Sequence, residues 1–309
     1  MEKKTIRIGT RGSRLALYQA ELTREKLLDR FPEVSVEIRV IRTKGDKILD
    51  VALSKIGDKG LFTKEIENAL LDNHVDIAVH SLKDLPTALP EGLKLGAVLE
   101  RAEFRDALVS RDGRTLDELS EKDVIATSSL RRKASLLRYN KNLRIVDIRG
   151  NVNTRIRKME EGYCDAMIMA AAGLQRLNLD NYITEIINPE IIIPAVSQGI
   201  IALESRIDDE ATEIYLQGIN HPGTWTAGEA ERGFLRAIEG GCQVPVGCFS
   251  KMTGEHLFLT GFVASMDGDV YLLETESGSV NEPRAVGEKL AKKLLARGAA
   301  KIMEEIRKL

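Results

Sequence analysis

Ten basic residues fall between Thr127 and Lys158, against a single acid, Asp147. The chain as a whole carries 45 Lys and Arg against 47 Asp and Glu, a formal net charge of −2, so the surplus is local and calls for an anionic partner. Its arginines sit on separate loops. Arg131 and Arg132 follow Thr127-Ser128-Ser129-Leu130, and Arg149 precedes Gly150-Asn151. Two earlier stretches read alike, Thr10-Arg11-Gly12-Ser13-Arg14 and His80-Ser81-Leu82-Lys83-Asp84. Each ends an apolar run with hydroxyls or glycine beside Arg or Lys, the groups that build a carboxylate or phosphate site at a helix start. One such arginine alone is most simply a solvated surface cation, but four such loops together point to a ligand. Nucleic acid fits poorly, because aromatic content is 5% and only Tyr139 and Tyr163 lie in or near the basic stretch. A compact ligand bearing many carboxylates fits better.

A second candidate is Cys242, in Glu239-Gly240-Gly241-Cys242-Gln243-Val244-Pro245, where two glycines allow close backbone approach. The ordinary reading of a lone cysteine is a small buried side chain, which suits Cys164 and Cys248. No metal site is expected, since Cys242 and Cys248 lack tight Cys-x-x-Cys spacing and a nearby paired-His motif. The four histidines (74, 80, 221 and 256) show no pattern that would pair one with Cys242 for hydrolysis.

The elements that must position these groups alternate along the first two thirds of the chain. Strands are expected at 5–9, 75–79, 124–126, 145–148 and 166–170, with helices at 13–31 and starting at Ser128 and Val152. Val34, Val36, Ile38 and Val40 alternate with polar residues, the signature of a strand with one buried face, and Phe62, Ile66, Ala69 and Leu70 carry helical spacing. Such alternation predicts α/β layers on mainly parallel sheets, with ligands beyond the carboxyl ends of the strands. The last third reads differently, with a helix at 226–238, strands at 244–249, 257–264 and 270–275, a hairpin turn at Met266-Asp267-Gly268-Asp269, and one long helix at 283–309. That pattern predicts a small α+β domain. Breaks are expected near 100–103, 194–199 and 220–223, and no internal repeat is evident.

At 309 residues, with 43% hydrophobic and 30% charged residues, the chain has the profile of a globular protein of two or three domains. No apolar run reaches the roughly 18 residues of a membrane span. The amino-terminal stretch lacks the apolar core of a secretory signal, and three cysteines are too few for a disulfide framework. A cytoplasmic location is expected.

Seven stretches together resemble the porphobilinogen deaminase family of tetrapyrrole biosynthesis: IGTRGSRLAL at 8–17, GDKGLFTK at 57–64, VHSLKDLPT at 79–87, TSSLRR at 127–132, RGNVNTR at 149–155, AAAGLQR at 170–176 and GGCQVP at 240–245. They fall in the family's order and span nearly the whole chain. One departure is Ser197, in Pro194-Ala195-Val196-Ser197-Gln198-Gly199, where the family usually has Gly before the Gln-Gly pair. The resemblance implies two periplasmic-binding-protein-like α/β domains forming a cleft, residues 1–99 with 200–219 and residues 105–193, and a small α+β domain at 222–309. It implies a transferase that deaminates four porphobilinogen molecules and joins them head to tail on a dipyrromethane cofactor, releasing hydroxymethylbilane. The cofactor would be attached through a thioether to Cys242. Asp84 matches the family's catalytic carboxylate, although the capping of a helix start is the simpler structural role for such an acid. Arg11, Ser13, Ser81, Lys83, Ser129, Arg131, Arg132, Arg149, Gly150, Arg155, Arg176 and Gln198 match the cofactor- and substrate-binding positions, with Thr127 and Ser128 adding hydroxyl and backbone contacts. Asp46, Lys55, Lys59 and Phe62 match a lid over the cleft. The family likeness favours a monomer, with no nucleic acid and no membrane among its partners. A non-catalytic receptor for dicarboxylates and a polyanion-binding protein are the rival classes. The first would carry no covalent group at Cys242, and the second would show steep salt-dependent nucleic-acid affinity.

Overall fold

The computed structural model describes residues 4–47, 62–238 and 244–308. In chain order its elements are β1 (Thr5–Thr10), α1 (Arg14–Arg30), β2 (Ser35–Val40), α2 (Lys44–Lys47), α3 (Lys64–Leu71), β3 (Ile77–Ser81) and β4 (Leu93–Val98). There follow β5 (Asp106–Ser110), β6 (Val124–Ala126), α4 (Leu130–Tyr139), β7 (Arg144–Val146), α5 (Val152–Glu160), β8 (Ala166–Ala170), α6 (Ala171–Gln175) and β9 (Glu185–Ile186). The chain continues with β10 (Ile201–Arg206), α7 (Glu210–Ile219), α8 (Pro222–Ala237), β11 (Val246–Thr253), β12 (His256–Ala264), β13 (Tyr271–Ser279), α9 (Pro283–Ala296) and α10 (Ala299–Arg307). Contacts group these into two compact units, Met1–Ala102 with Gly199–Trp225, and Glu103–Gln198 with Thr226–Leu309.

The first unit is built on a five-stranded sheet of order β2-β1-β3-β10-β4. Its core lies between β1, β3 and β10 on one side and α1 and α7 on the other, through Ile6, Ile8, Ala20, Leu27, Ile77, Leu203 and Leu216. The second unit contains a sheet of order β7-β6-β8-β5-β9 and a separate antiparallel sheet β11-β12-β13. Helices α8, α9 and α10 cover the small sheet, burying Phe234, Leu257, Leu259, Leu290, Leu294 and Met303. Within this unit Ala134 of α4 and Ile193 pack against Phe262 and Ala264 of β12, so the small sheet shares a core with the α/β layers. Phe262 is fully buried there, and its truncation to Ala would cost about 3–5 kcal/mol.

The expected α/β class with a small α+β portion is what the chain forms, but the large sheets are mixed rather than mainly parallel. In the first, β1 pairs with β2 and β3 in parallel while β10 runs antiparallel to both β3 and β4. In the second, β6 pairs in parallel with β7 and β8 while β5 runs antiparallel to β8 and β9. Order and sense therefore repeat between the two sheets, an architectural duplication that the sequence does not display as a repeat. The antiparallel strands escaped the sequence reading because β5 and β10 are as apolar as their parallel neighbours, being buried on both faces.

Smaller departures have local causes. Strand β2 is the sheet's edge, so its apolar face is only half-buried and Val40 is 54% exposed. β3 begins later than expected and runs on to Ser81, where Ile201 of β10 pairs with it. β7 stops at Val146 because the Ser128 hydroxyl takes over beyond it, accepting from the Ile148 amide at 2.9 Å and donating to the Ile148 carbonyl at 2.8 Å. The expected long terminal helix is two helices, broken at Gly298, whose φ of 103° lies in the left-handed region that glycine adopts without penalty.

Candidate active site

In the first unit, the carboxyl ends of β1 and β3 meet the start of α1. Ser13 caps α1, its Oγ accepting from the Ala16 amide at 3.3 Å, and the Thr10 hydroxyl donates to the Ala16 carbonyl at 3.2 Å. From α1, Gln19 donates through Nε2 to Ser81 Oγ at 2.9 Å, tying the helix to the end of β3. These elements, with Phe62 and Thr63 ahead of α3, enclose a pocket of about 80 Å³. Arg11, Ser13, Phe62, Ser81 and Asp84, all singled out by sequence, line it. The Arg11 guanidinium lies over the Phe62 ring, 4.1 Å from its centroid, which fixes a cation at the pocket wall.

Asp84 ends a single 3₁₀ turn, Leu82–Asp84, directly after β3, with half-buried Lys83 beside it. It starts no helix, so the capping role is not the one it plays here. Its side chain is exposed and accepts no hydrogen bond from a described residue. The pocket thus presents a carboxylate, a cation and three hydroxyls, those of Ser13, Thr63 and Ser81. Its wall also contains His80, which sequence reading passed over and whose Nε2 stands 3.2 Å from Oε2 of the buried Glu204 of β10. A signal existed, since Glu204 is a lone acid in the apolar run Ile200–Leu203 continued by Ser205.

The second unit gathers the arginines. Arg131 and Arg132 begin α4, and Ser129 caps that helix by accepting from the Arg132 amide at 3.5 Å. Both guanidinium groups turn inward onto Asp106, the fully buried first residue of β5. Arg131 reaches Oδ2 at 2.7 Å, and Arg132 reaches Oδ1 at 2.7 Å through Nη2. Arg131 also donates to the Ile193 carbonyl at 2.6 Å and Arg132 to the Ile168 carbonyl at 3.0 Å. Gln198 completes the cluster, donating to Asp106 Oδ1 at 2.9 Å and to the Phe104 carbonyl at 2.8 Å. Burial alone would raise the Asp106 carboxyl, but the two guanidinium charges outweigh it and hold the group well below the ordinary carboxylate range. Burial conversely lowers Arg131, with Asp106 opposing. Sequence reading missed Asp106, the one charged residue opening the apolar strand Asp106–Ser110.

The remaining groups surround this cluster. The Thr127 hydroxyl accepts from the Ser129 amide at 3.3 Å, and Ser128 is committed to Ile148, so these hydroxyls shape the loop. Asn151 caps α5, its Oδ1 accepting from the Thr154 amide at 2.9 Å. Before it, Gly150 has φ 117°, and its carbonyl accepts from Arg155 Nε at 2.8 Å. Arg155 is pushed down to about 10, by burial first and then by the like charges of Arg132 and Arg149. Among the described residues no acid figures in the influences on it. Three guanidinium groups, those of Arg132, Arg149 and Arg155, are therefore held close enough for their like charges to be felt. Arg176 follows α6 and is buried. Asp46 lies in α2, its side chain outside the described residues, and Lys55, Lys59 and Cys242 also lie outside them.

Ser197 has φ 61°, a left-handed conformation uncommon for a residue with a side chain. Its amide donates to Glu231 Oε2 at 2.7 Å, which holds the strained turn, while its buried hydroxyl has no hydrogen-bond partner among the described residues.

Comparison with known proteins agrees with the residues. A sequence model of the porphobilinogen deaminase dipyrromethane cofactor-binding domain matches residues 6–214, and one of the porphobilinogen deaminase C-terminal domain matches residues 225–296. The porphobilinogen deaminase of Syntrophomonas wolfei subsp. wolfei is 49% identical over 305 residues, covering 99% of this chain and 100% of its own. That of Moorella thermoacetica is 50% identical over 302 residues, covering 98% of this chain and 96% of its own. The chain belongs to the porphobilinogen deaminase family. It is an enzyme of tetrapyrrole biosynthesis that polymerises porphobilinogen into hydroxymethylbilane, and its cofactor is dipyrromethane. Among solved structures, the BenM effector-binding domain with its effector benzoate is similar at a TM-score of 0.44 and 17% identity, over 71% of this chain and 91% of that one. Among the described residues no helix is long and apolar enough to cross a membrane, and no group of acids, histidines and cysteines could hold a metal ion.

Proposed function

We propose that Asp84 is the catalytic carboxylate of this porphobilinogen deaminase and that the arginines of the second unit hold the carboxylate side chains of cofactor and growing product. The single observation carrying the first assignment is an exposed carboxylate, without a hydrogen bond from a described residue, on a pocket that also bears the Arg11 cation. Each addition breaks the aminomethyl C–N bond of porphobilinogen, and ammonia leaves with the bonding electrons. The substrate becomes an electron-poor azafulvene cation, which a carboxylate beside the pyrrole N–H stabilises and can relieve of a proton. Arg11, Ser13, Ser81 and Lys83 place the substrate's acetate and propionate around Asp84. When bound, the dipyrromethane supplies the nucleophilic pyrrole carbon to which the first substrate is joined.

In the second unit, Arg131, Arg132, Arg149, Arg155 and Arg176 are the carboxylate donors. Gln198 and Asp106 aim the two buried forks. Thr127, Ser128 and Ser129 serve by fixing the loops through their hydroxyls, and Gly150 by its positive φ, rather than by holding the ligand directly. Cys242 is the attachment point for the cofactor, and Asp46, Lys55, Lys59 and Phe62 belong to a lid. The same reading divides the chain into three domains and takes the enzyme as a cytoplasmic monomer, the latter tested by light scattering of the purified protein.

Asp84→Asn tests the chemistry. The variant should keep its fold and its cofactor, read by intact mass, and lose turnover by about a hundredfold or more. Normal single-turnover elongation in that variant would remove Asp84 from the reaction.

A further inference from the structure

The pocket wall holds His80, and behind it stands Glu204, two side chains to which the carboxylate chemistry assigns no work. His80, on β3, is buried, and its Nε2 stands 3.2 Å from Oε2 of Glu204 on β10. The antiparallel ladder sets Ala202 opposite His80 and Glu204 opposite Ala78, which brings the two side chains onto one face. Glu204 is fully buried, and no described residue gives either of its oxygens a well-formed hydrogen bond. Glu67 of α3 faces the same space, its carboxyl raised by burial and then by Glu204. Among the described residues, the ionisable groups around His80 are Glu204 from β10, Glu67 from α3, and Arg11 and Asp84 on the same pocket.

A carboxylate ion buried without hydrogen-bond donors is strongly disfavoured unless a partner shares a proton with it. His80 is the basic group within reach. Of the two, His80 lines the pocket that contains Asp84.

We infer that His80 and Glu204 form the proton store of this pocket, His80 exchanging the proton and Glu204 positioning and charging His80. The inference rests on the assignment of Asp84 above. In each condensation the C–N electron pair leaves with nitrogen as ammonia, and the attacking pyrrole carbon forms the new C–C bond. That carbon then loses its proton, and its C–H electrons restore the aromatic ring. The proton passes to Asp84, from there to His80, and finally to the ammonia, which departs as ammonium. One proton enters and one leaves, and nothing is oxidised.

Glu204→Gln and His80→Gln in the cofactor-loaded enzyme test this. Each should lower kcat about a hundredfold, the lower end of what a positioned proton-transfer group contributes, with KM within about twofold. The solvent deuterium isotope effect on ammonia release should rise in both. Cofactor content by intact mass should match that of the unaltered enzyme in both variants. Should Glu204→Gln fail to fold, His80→Gln reads the same kcat and isotope effect. Unchanged kcat and isotope effect in the folded variants overturn the inference, as does a loss of rate that merely tracks lost cofactor. If Asp84→Asn is inactive while both variants match the unaltered enzyme, the proton store alone fails. If Asp84→Asn keeps its turnover, the reading of the pocket fails with it.

Discussion

Substituting Asp106 with Asn leaves the side chain's size unchanged and removes one negative charge from between two buried guanidinium groups. Arg131 and Arg132 then face an amide whose NH₂ opposes their own donors, and Gln198 loses its anionic acceptor. Breaking a buried ion pair by deleting one partner costs about 3–5 kcal/mol. At about 2–4 °C per kcal/mol for domains of this size, the melting temperature should fall by roughly 10 °C. The pH dependence follows from the same carboxyl. Its folded pKa lies below its unfolded one, so its contribution is fully present above the ordinary carboxylate value of about 4 and is lost as pH falls toward the depressed folded value. The unaltered protein should lose stability through that acid window more steeply than Asp106→Asn does. The assay is thermal unfolding followed by circular dichroism at neutral pH and in acid, with cofactor content read by mass. The two arginines should also lose their aim, so cofactor content should drop. A melting temperature within about 2 °C of the unaltered protein at neutral pH, with full cofactor, would refute the claim that Asp106 organises the cluster.

Two further outcomes are expected. Ser197→Gly should raise stability by up to about 1 kcal/mol in denaturant titration, because it removes a left-handed side-chain conformation and a buried hydroxyl without a partner among the described residues, partly offset by the entropy of glycine. Arg155→Gln should have opposite signs in two states of the protein: adduct-free Cys242→Ser should gain stability, since burial and like charges already disfavour the Arg155 cation, whereas the cofactor-loaded enzyme should lose it. A loss in both states would mean that Arg155 faces an acid rather than an anion's site.

Much of this was legible in residue patterns. The Gly-Thr-Arg-Gly-Ser, His-Ser-Leu-Lys-Asp and Ser-Ser-Leu-Arg-Arg stretches stand at strand ends, and Arg11, Ser13, Ser81 and Asp84 do meet on one pocket. What escaped was the partnering of those groups. Asp106 is distant in sequence from Arg131 and Arg132, and only the antiparallel insertion of β5 beside β8 brings it beneath α4. Glu204 likewise reaches His80 because β10 returns to pair with β3 after nearly a hundred intervening residues of the other unit. Strand sense was invisible for the same reason, since a strand buried on both faces carries no alternation from which to read direction. Hydroxyls such as Ser128 and Ser129 look like ligand donors in sequence, yet capping and loop closure take them first.

Intact mass spectrometry of the freshly purified enzyme, beside its Cys242→Ser variant, tests the covalent tether most directly. The unaltered protein should exceed the mass encoded by its sequence by one dipyrromethane and should gain further pyrrole units when porphobilinogen is added, while Cys242→Ser should show neither. A fully active preparation whose mass equals that of the bare polypeptide would contradict the attachment of the cofactor to this chain.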